Sequence, residues 1–463
     1  MNSLSSMTTS VVWLRRDLRL SDNPALLAAE AEAGRDGVCV AVVLDRTLLG
    51  GSDRRAARYL ASLRALDTDL DGALTVLEGP PHRAVPALAR ELRADTVHIA
   101  RETTPYGRRR DSRVEDALGE AGVTLRATGT PYAVGPGTVL TGGNTPYKVF
   151  TPFSRAWREH GWARPAERPA ARWLRADSGV ALPGDPGLDV AGDEGAGERA
   201  AYSRWRRFLD EDLEGYATDR NRPDLDTTSR MSVRLKYGEI HPRTMLADLL
   251  EHELWGGDDV DRFVTELCWR EFYADVLWHR PDSAWRDWSD TLADMSYADP
   301  ADPDTAADVE AWRLGRTGFP VVDAGMRQLA TEGWMHNRVR MITASFLVKD
   351  LHVWWPVGAR HFLEHLLDGD VASNNHGWQW VAGTGTDASP YFRVFNPVTQ
   401  GLRFDPDGTY VRRWVPELAH LRGKSAHEPW KATDGYAHGY PERIVDHGAE
   451  RERALARYES ARS

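Results

Sequence analysis

Five short apolar runs, at residues 11–14, 38–44, 74–77, 96–100 and 123–126, alternate with helical patterns near 22–33, 53–70, 83–93 and 108–121. Strands separated each time by a helix pair in parallel, because a parallel neighbour needs a crossover of about that length. The spacing predicts βαβ units and a parallel, Rossmann-like α/β sheet over the first part of the chain. The turn after the first strand reads Arg15-Arg16-Asp17-Leu18-Arg19, without a Gly-x-Gly-x-x-Gly. The usual dinucleotide fingerprint is missing, so this fold alone does not imply NAD.

The hydrophobic period changes near residue 200. Segments near 201–216, 242–255, 259–279, 320–332, 336–351 and 357–368 repeat apolar residues every three or four positions, which predicts a mostly α-helical second half. Residues 164–199 are rich in Ala, Pro, Gly, Arg and Asp and read as a surface connection. At 463 residues the chain exceeds one ordinary core. The expected division is an α/β domain over 9–135, an extended connection over 136–199 and a helical domain over 200–463.

The net charge of −11 argues against a protein that coats nucleic acid non-specifically, although a local basic patch remains compatible with it. The two cysteines, Cys39 in an expected strand and Cys268 in an expected helix, form no Cys-x-x-Cys motif. A reduced, cytoplasmic setting fits that usage. The N-terminus lacks a basic region followed by a long apolar stretch, and no run approaches eighteen apolar residues. Neither secretion nor a membrane span is expected.

Fourteen of the eighteen tryptophans lie after residue 200. Residues 368–397 combine acids, tandem amides, glycine-rich turns and the rings of Trp378, Trp380, Tyr391, Phe392 and Phe395. Two Gly-Thr steps after two tryptophans do not suit a packing helix, and a disordered linker would not hold so many rings. The stretch reads as an irregular pocket wall for a flat, polar, aromatic molecule.

Other constellations are ambiguous taken singly. Glu266, Trp269, Arg270 and Tyr273 lie three, four and seven residues apart, on one helical face that can clasp a base-like group. An intrahelical ion pair on an amphipathic helix is the plainer use of such residues. Asn337, Met341 and Ala344 share a face, whereas Arg338 and Arg340 point elsewhere and need acids such as Asp368 or Asp370 if buried. The hydroxyls of residues 227–232 precede a helix start, where they cap the helix or hold phosphate. His361-Phe-Leu-Glu364-His365 matches a zinc-peptidase pattern, but no third ligand presents itself and no metal is expected.

Taken in order, these pieces resemble the DNA photolyase/cryptochrome family, and within it a class I cyclobutane pyrimidine dimer photolyase. The resemblance runs through Trp13-Leu-Arg-Arg-Asp-Leu-Arg-Leu-Ser-Asp-Asn-Pro-Ala-Leu, Tyr147-Lys-Val-Phe-Thr-Pro-Phe, Thr228-Ser-Arg-Met-Ser, Trp269-Arg-Glu-Phe-Tyr, Gly318-Phe-Pro-Val-Val-Asp-Ala-Gly-Met-Arg-Gln-Leu and Gly333-Trp-Met-His-Asn-Arg. It implies an antenna-chromophore α/β domain and a helical catalytic domain that binds FAD, active in its reduced anionic form, and DNA.

The resemblance also implies residue roles. Tyr216, Thr228, Ser229, Arg230, Met231 and Ser232 would hold the ribityl and phosphate region of the flavin. Arg340 would pair with Asp368, Asp370 would lie near the ring system, and Asn374 would face the nitrogen that tunes its redox state. Arg270 and Asn337 complete the cofactor set. Glu266 and Trp269 would meet the dimer, with Asn337, Arg338, Met341 and Trp380 around it, and Arg220, Arg393 and Gln400 near DNA. Trp378 and Trp355 match the inner two members of an electron-transfer chain. The third position, about ten residues before Trp312, reads Asp302, leaving Trp312, Trp354 or Tyr297 as its replacement.

The implied partner is ultraviolet-damaged single- or double-stranded DNA containing pyrimidine dimers, bound by a monomer. A dimer inside a duplex must be flipped out to reach a buried cofactor. Its poor stacking lowers that cost, and local arginines hold phosphate despite the acidic total. Residues 101–108, Arg-Glu-Thr-Thr-Pro-Tyr-Gly-Arg, resemble the loop of photolyases that carry 8-hydroxy-5-deazaflavin as antenna rather than methenyltetrahydrofolate. A cryptochrome-type blue-light receptor is the main rival. Asn374, where such receptors carry Asp or Cys, and the end at Arg462-Ser463 without a long tail argue against it. A (6-4) photoproduct photolyase would show a histidine pair where only His336 stands, and Met341 suits the cyclobutane enzyme.

Overall fold

A computed structural model describes residues 9–190, 194–386 and 393–462. Its backbone contacts divide the chain into two compact units. The first takes in residues up to Tyr147, Phe153–Glu214 and Ser229–Pro281, and the second Lys148–Pro152, Gly215–Thr228 and Asp282–Ser463.

The first unit is built on strands β1 (Ser10–Leu14), β2 (Val38–Leu44), β3 (Thr75–Glu78), β4 (Thr96–Ile99) and β5 (Thr124–Ala127), in the order β3-β2-β1-β4-β5 and all parallel. Helices Pro24–Ala33, Asp53–Asp69, Pro81–Leu92 and Pro105–Glu120 fill the crossovers. The α/β fold expected from the spacing is the one observed. Alternation along the strands shows why both faces need cover. Val12, Leu14, Val38, Val40, Val42 and Leu44 enter one core, and Val11, Trp13, Cys39, Ala41 and Val43 the other. The connection expected over 164–199 adds a sixth strand, β6 (Trp173–Leu174), paired with Val38 and Cys39 of β2. Two residues are too short for periodicity to announce.

Burial pushes the Cys39 thiol up to about 11 and Cys268 up to about 12, so both stay protonated, inert core groups.

Contacts rather than the change of period decide where residues 229–281 belong. Helix Asp258–His279 turns acids toward the backbone of residues 134–137. Glu271 accepts from Val134 N at 3.0 Å and from Trp157 Nε1 at 2.7 Å, and Asp275 accepts from Gly137 N at 2.7 Å. Gly137 has φ +80°, and a Cβ there would lie 2.7 Å from Trp278 Nε1, so only glycine lets the turn approach this helix. A second tie is Glu239, a fully buried carboxylate bound by Arg58 Nη1 and Nη2 at 2.8 and 2.7 Å. It also accepts from Ser62 Oγ at 2.9 Å, Gly197 N at 2.8 Å and Arg234 Nη1 at 3.1 Å.

The second unit is helical. Pro303–Arg313, Pro320–Glu332, Asn337–Ser345, Trp355–His365, Val371–Ala382, Thr409–Trp414 and His447–Ser460 are its longer helices with Pro397–Phe404. A core of Trp312, Phe319, Met335, Phe346, Trp355, Phe362 and Trp378 lies among them. The segment expected as one helix over 336–351 changes to a π-helical turn at Phe346–Asp350. No helix among the described residues is long and apolar enough to cross a membrane.

One expectation is corrected. Residues 368–397 do not form an irregular wall throughout, because Val371–Ala382 is a regular α-helix. Asp370 caps it by accepting from Ser373 N at 3.0 Å, and Gly383 closes it at φ +87°. Its hydrophobic period is faint because amides point inward and are satisfied there. Asn375 donates to Ala284 O, and Gln379 donates to Ser283 O at 2.7 Å and accepts from Trp288 N at 2.8 Å. Buried amides of this kind read as loop composition until their partners are known. Tyr391 and Phe392 lie outside the described residues.

Candidate active site

In the second unit, helix Asn337–Ser345 begins at His336, whose Nδ1 accepts from Arg338 N at 3.2 Å. One turn in, Arg340 donates from Nε to Met335 O at 2.7 Å and from Nη2 to Asp368 Oδ2 at 2.9 Å. The structure thus supplies the acidic partner that a half-buried Arg340 needs, and it is Asp368 rather than Asp370. Asp368 is buried, and among the described residues its second oxygen, Oδ1, has no hydrogen-bond partner. Buried carboxylate oxygens are costly to leave unsatisfied, which marks this one as a place for an external donor. The Thr227 hydroxyl, buried in the same unit, likewise lacks a partner among the described residues. Asn374 donates from Nδ2 to Ala359 O at 3.1 Å and to Asn375 Oδ1 at 2.8 Å. Its amide plane is therefore held from the side of the helix Trp355–His365.

Two groups of indoles lie in this unit, one around Trp378 and one around Trp355. Trp378 meets Phe362 edge-on at 4.9 Å and Trp312 edge-on at 6.1 Å, and packs over Gly358. Trp355 is fully buried, donates from Nε1 to Asp287 Oδ1 at 2.6 Å, and meets Trp354 edge-on at 6.3 Å. Of the three replacements considered for the outer relay, Trp312 is fully buried with its indole bonded to Thr343 O at 3.0 Å, whereas Trp354 is 37% exposed. Asp302, in the place where a tryptophan was expected, caps the helix Pro303–Arg313.

A cationic cluster forms farther along the same unit. Arg338 donates twice to Asn221 Oδ1, at 2.7 and 3.2 Å, and its guanidinium lies 4.6 Å above the Phe404 ring. Burial, then Arg220 and Arg403, push its pKa below the ordinary guanidinium range. Among the described residues no carboxylate pairs with Arg338. Arg220 also lies 5.9 Å from the Tyr216 ring. Gln400 is on helix Pro397–Phe404 with Arg403 and Phe404. Arg393 is exposed, with its carbonyl accepting from Lys349 Nζ. Asn337 is exposed, and Met341 and Trp380 are half-buried against the core.

The remaining candidates stand in the first unit. Ser229 Oγ accepts from Met231 N at 3.4 Å, and Arg230 sits at φ +53° just before the short helix Met231–Tyr237, with Ser232 exposed in its first turn. Thr228 closes the preceding stretch of the second unit. Glu266 is half-buried, and Trp269 packs with Tyr273 at 5.3 Å and edge-on with Phe272 at 5.8 Å. Arg270 donates to Pro131 O at 2.9 Å and lies 4.3 Å over the Tyr132 ring, a fixed position inside this unit.

Two further points depart from the sequence reading. Glu364 does bring a third ligand atom to His361 and His365, all within 4.8 Å, although Glu364 is exposed and exposed acids are common without a metal. Asn221, Asp287, Arg403 and Phe404 were not singled out. Arg403 and Phe404, three and four residues beyond Gln400, could have been found from helical spacing; Asp287 and Asn221 had no local signal.

Comparison with known proteins agrees with this architecture. Residues 10–171 match the family model described as DNA photolyase, and residues 263–460 the model described as FAD binding domain of DNA photolyase. The α/β unit and the helical unit with its Arg340–Asp368 pair thus belong to a class of FAD-binding two-unit proteins. The chain belongs to the DNA photolyase family. A deoxyribodipyrimidine photo-lyase of Streptomyces griseus is 41% identical over 98% of this chain and 99% of its own. A class III photolyase from Agrobacterium tumefaciens, 38% identical, superposes over 99% of both chains with a TM-score of 0.89. An archaeal photolyase from Sulfolobus tokodaii, solved with two FAD molecules, is 28% identical over 98% of this chain and all of its own, with a TM-score of 0.84.

Proposed function

We propose that this chain is a photolyase that repairs cyclobutane pyrimidine dimers in DNA under light, acting as a cytoplasmic monomer. The observation that carries the reading is Asp368: one oxygen is held by Arg340 and the other is buried without a partner among the described residues, at the foot of the helix bearing Asp370, Asn374 and Trp378. Those residues fit a flavin ring. Arg340, Asp368, Asp370, Asn374, Arg270 and Asn337 would hold it, with Tyr216 and Thr228 through Ser232 on its ribityl and phosphate region. Bound FAD, reduced and light-excited, supplies the dimer with one electron and takes it back.

The protein's share of the work is positioning. Arg220, Arg338, Arg393 and Gln400 would hold phosphate and the opened strand, with the Arg338–Arg403 cluster supplying local positive potential within an acidic chain. Trp269, Met341 and Trp380 would receive the flipped dimer, and Glu266 would hydrogen-bond the charge that develops on it.

The class I assignment rests on the motifs of the resemblance, while Asn374 speaks against a cryptochrome and Met341 for a cyclobutane enzyme. A class III photolyase shares the fold over 99% of both chains, so the fold does not decide the class. The loop at 101–108 supports 8-hydroxy-5-deazaflavin as antenna, ahead of methenyltetrahydrofolate; the Sulfolobus enzyme with its two FAD molecules adds a second flavin to the choices. Pigments extracted from protein made in its native host separate them.

The deciding experiment is incubation of a dimer-containing oligonucleotide with the flavin-bound protein, in blue light and in darkness. Dimers should disappear only in the light. Glu266→Gln should keep most of the activity and Glu266→Ala should lose it. Equal loss of dimers in darkness, or none in light, refutes the assignment.

A further inference from the structure

We infer that Asp287 is the proton acceptor for Trp355 when that indole is oxidised, so that electron transfer along the expected tryptophan chain is coupled to loss of a proton at its second member. The inference rests on the flavin reading above and goes beyond it, because Asp287 belongs to no motif that carries that reading.

The geometry is specific. Trp355 is fully buried, yet its only polar atom, Nε1, donates to Asp287 Oδ1 at 2.6 Å. The buried indoles differ in their acceptors: Trp312 meets a backbone carbonyl, Thr343 O, at 3.0 Å, and Trp157 a carboxylate, Glu271, at 2.7 Å. Trp355 faces a carboxylate, a base, at the short end of hydrogen-bond distances. Asp287 itself is half-buried, so one side of it meets the indole and the other reaches solvent. Trp354 meets Trp355 edge-on and is 37% exposed, which gives the oxidised site a second, electronic exit.

The chemistry balances. An electron leaves Trp355 to refill an oxidised Trp378; bound, photoexcited flavin would be the oxidant of Trp378. The indole radical cation formed at Trp355 is a far stronger acid than indole. Its N–H bond breaks along the existing hydrogen bond, the proton forms an O–H bond on Asp287, and a neutral indolyl radical remains. Asp287 then releases the proton to water. A neutral radical has no charge to attract the electron back, so the separated state survives longer.

The test uses flavin-containing protein excited with a short blue pulse, the tryptophan radical being followed by transient absorption in ordinary and deuterated buffer. In the wild type the radical-cation spectrum converts to the neutral-radical spectrum, more slowly in deuterated buffer. In Asp287→Asn the amide oxygen still accepts from Trp355 Nε1, so the ring stays in place, but it takes no proton. The conversion should be lost and the cation should recombine. Asp287→Glu should restore it. A wild-type conversion rate in Asp287→Asn, or conversion that persists in Trp355→Phe, overturns the inference. Flavin absorbance on the same samples separates the two levels: protein without bound flavin, or with flavin but no tryptophan radical, defeats the underlying reading and this one with it.

Discussion

Removing Arg58 tests how the first unit is held together. The Arg58 and Glu239 side chains are 1% and 0% exposed and are joined by two hydrogen bonds of 2.8 and 2.7 Å. Burial pushes the Glu239 carboxyl up, but Arg58 and Arg234 outweigh it and hold it below the usual range, so it is charged. Arg58→Met keeps the volume and removes the charge. Breaking one side of a buried pair costs about 3–5 kcal/mol. Ser62, Gly197 and Arg234 still bind Glu239, which places the cost near the lower end, about 3 kcal/mol. At roughly 2–4 °C per kcal/mol for a unit of this size, the melting temperature should fall by about 6–12 °C. Glu239→Gln alone should cost a similar amount, since it leaves Arg58 buried without its counter-charge. Together the two changes should cost well below the sum, because neither Arg58 nor Glu239 then leaves the other's charge unpaired, while Arg234 keeps Glu194 at 3.5 Å, giving a coupling of about 2–3 kcal/mol. Urea unfolding of the four proteins, followed by circular dichroism and by amide exchange in β2, measures the cycle. Additivity within about 0.5 kcal/mol would falsify the claim that these two charges stabilise each other.

Two further predictions concern the second unit. At Gly358, in the helix Trp355–His365, an added Cβ would overlap Trp378 Cη2 and lie 2.6 Å from Leu347 Cδ2. Gly358→Ala should displace Trp378 and cost about 1–3 kcal/mol by overpacking, less about 1 kcal/mol regained in helix propensity; a variant more stable than wild type with unaltered Trp378 photochemistry would contradict this. His376 is buried, with Nδ1 bonded to Ala372 O at 2.8 Å and Nε2 to Ser283 Oγ at 2.9 Å, and burial lowers its pKa to about 4. A folded pKa below the unfolded value near ~6.5 means stability that is present above that pH and lost as pH falls toward about 4. His376→Gln should flatten the acid-side loss by up to about 1.4 kcal/mol per pH unit, read from urea midpoints between pH 7 and pH 4, and parallel slopes would disprove it.

The candidate site was legible wherever one side chain needs a particular kind of partner. Arg340 on a helix that packs against the core demands an acid if buried, and two acids follow in one stretch, so the sequence narrows the pairing to Asp368 or Asp370. Trp378 and Trp355 were visible as aromatic residues, but their surroundings were not. Nothing near Asp287 in the chain distinguishes it from its acidic neighbours, because its partner is 68 residues away. The helix Val371–Ala382 was missed for a related reason: Asn374, Asn375 and Gln379 find acceptors on residues that precede them by 15 to 96 positions, with Ala359, Ala284 and Ser283.

Local periodicity by itself determined the parallel α/β unit and the helical half, because a strand buried on both faces and an amphipathic helix each impose their own spacing on apolar residues. It could not place residues 229–281, which join the first unit through Glu239, Glu271 and Asp275. Nor could it bring Arg220, Arg338 and Arg403 to one region or set Trp355 against a carboxylate. Those arrangements depend on long-range hydrogen bonds and burial, whose energies are decided only when distant segments meet in the tertiary structure.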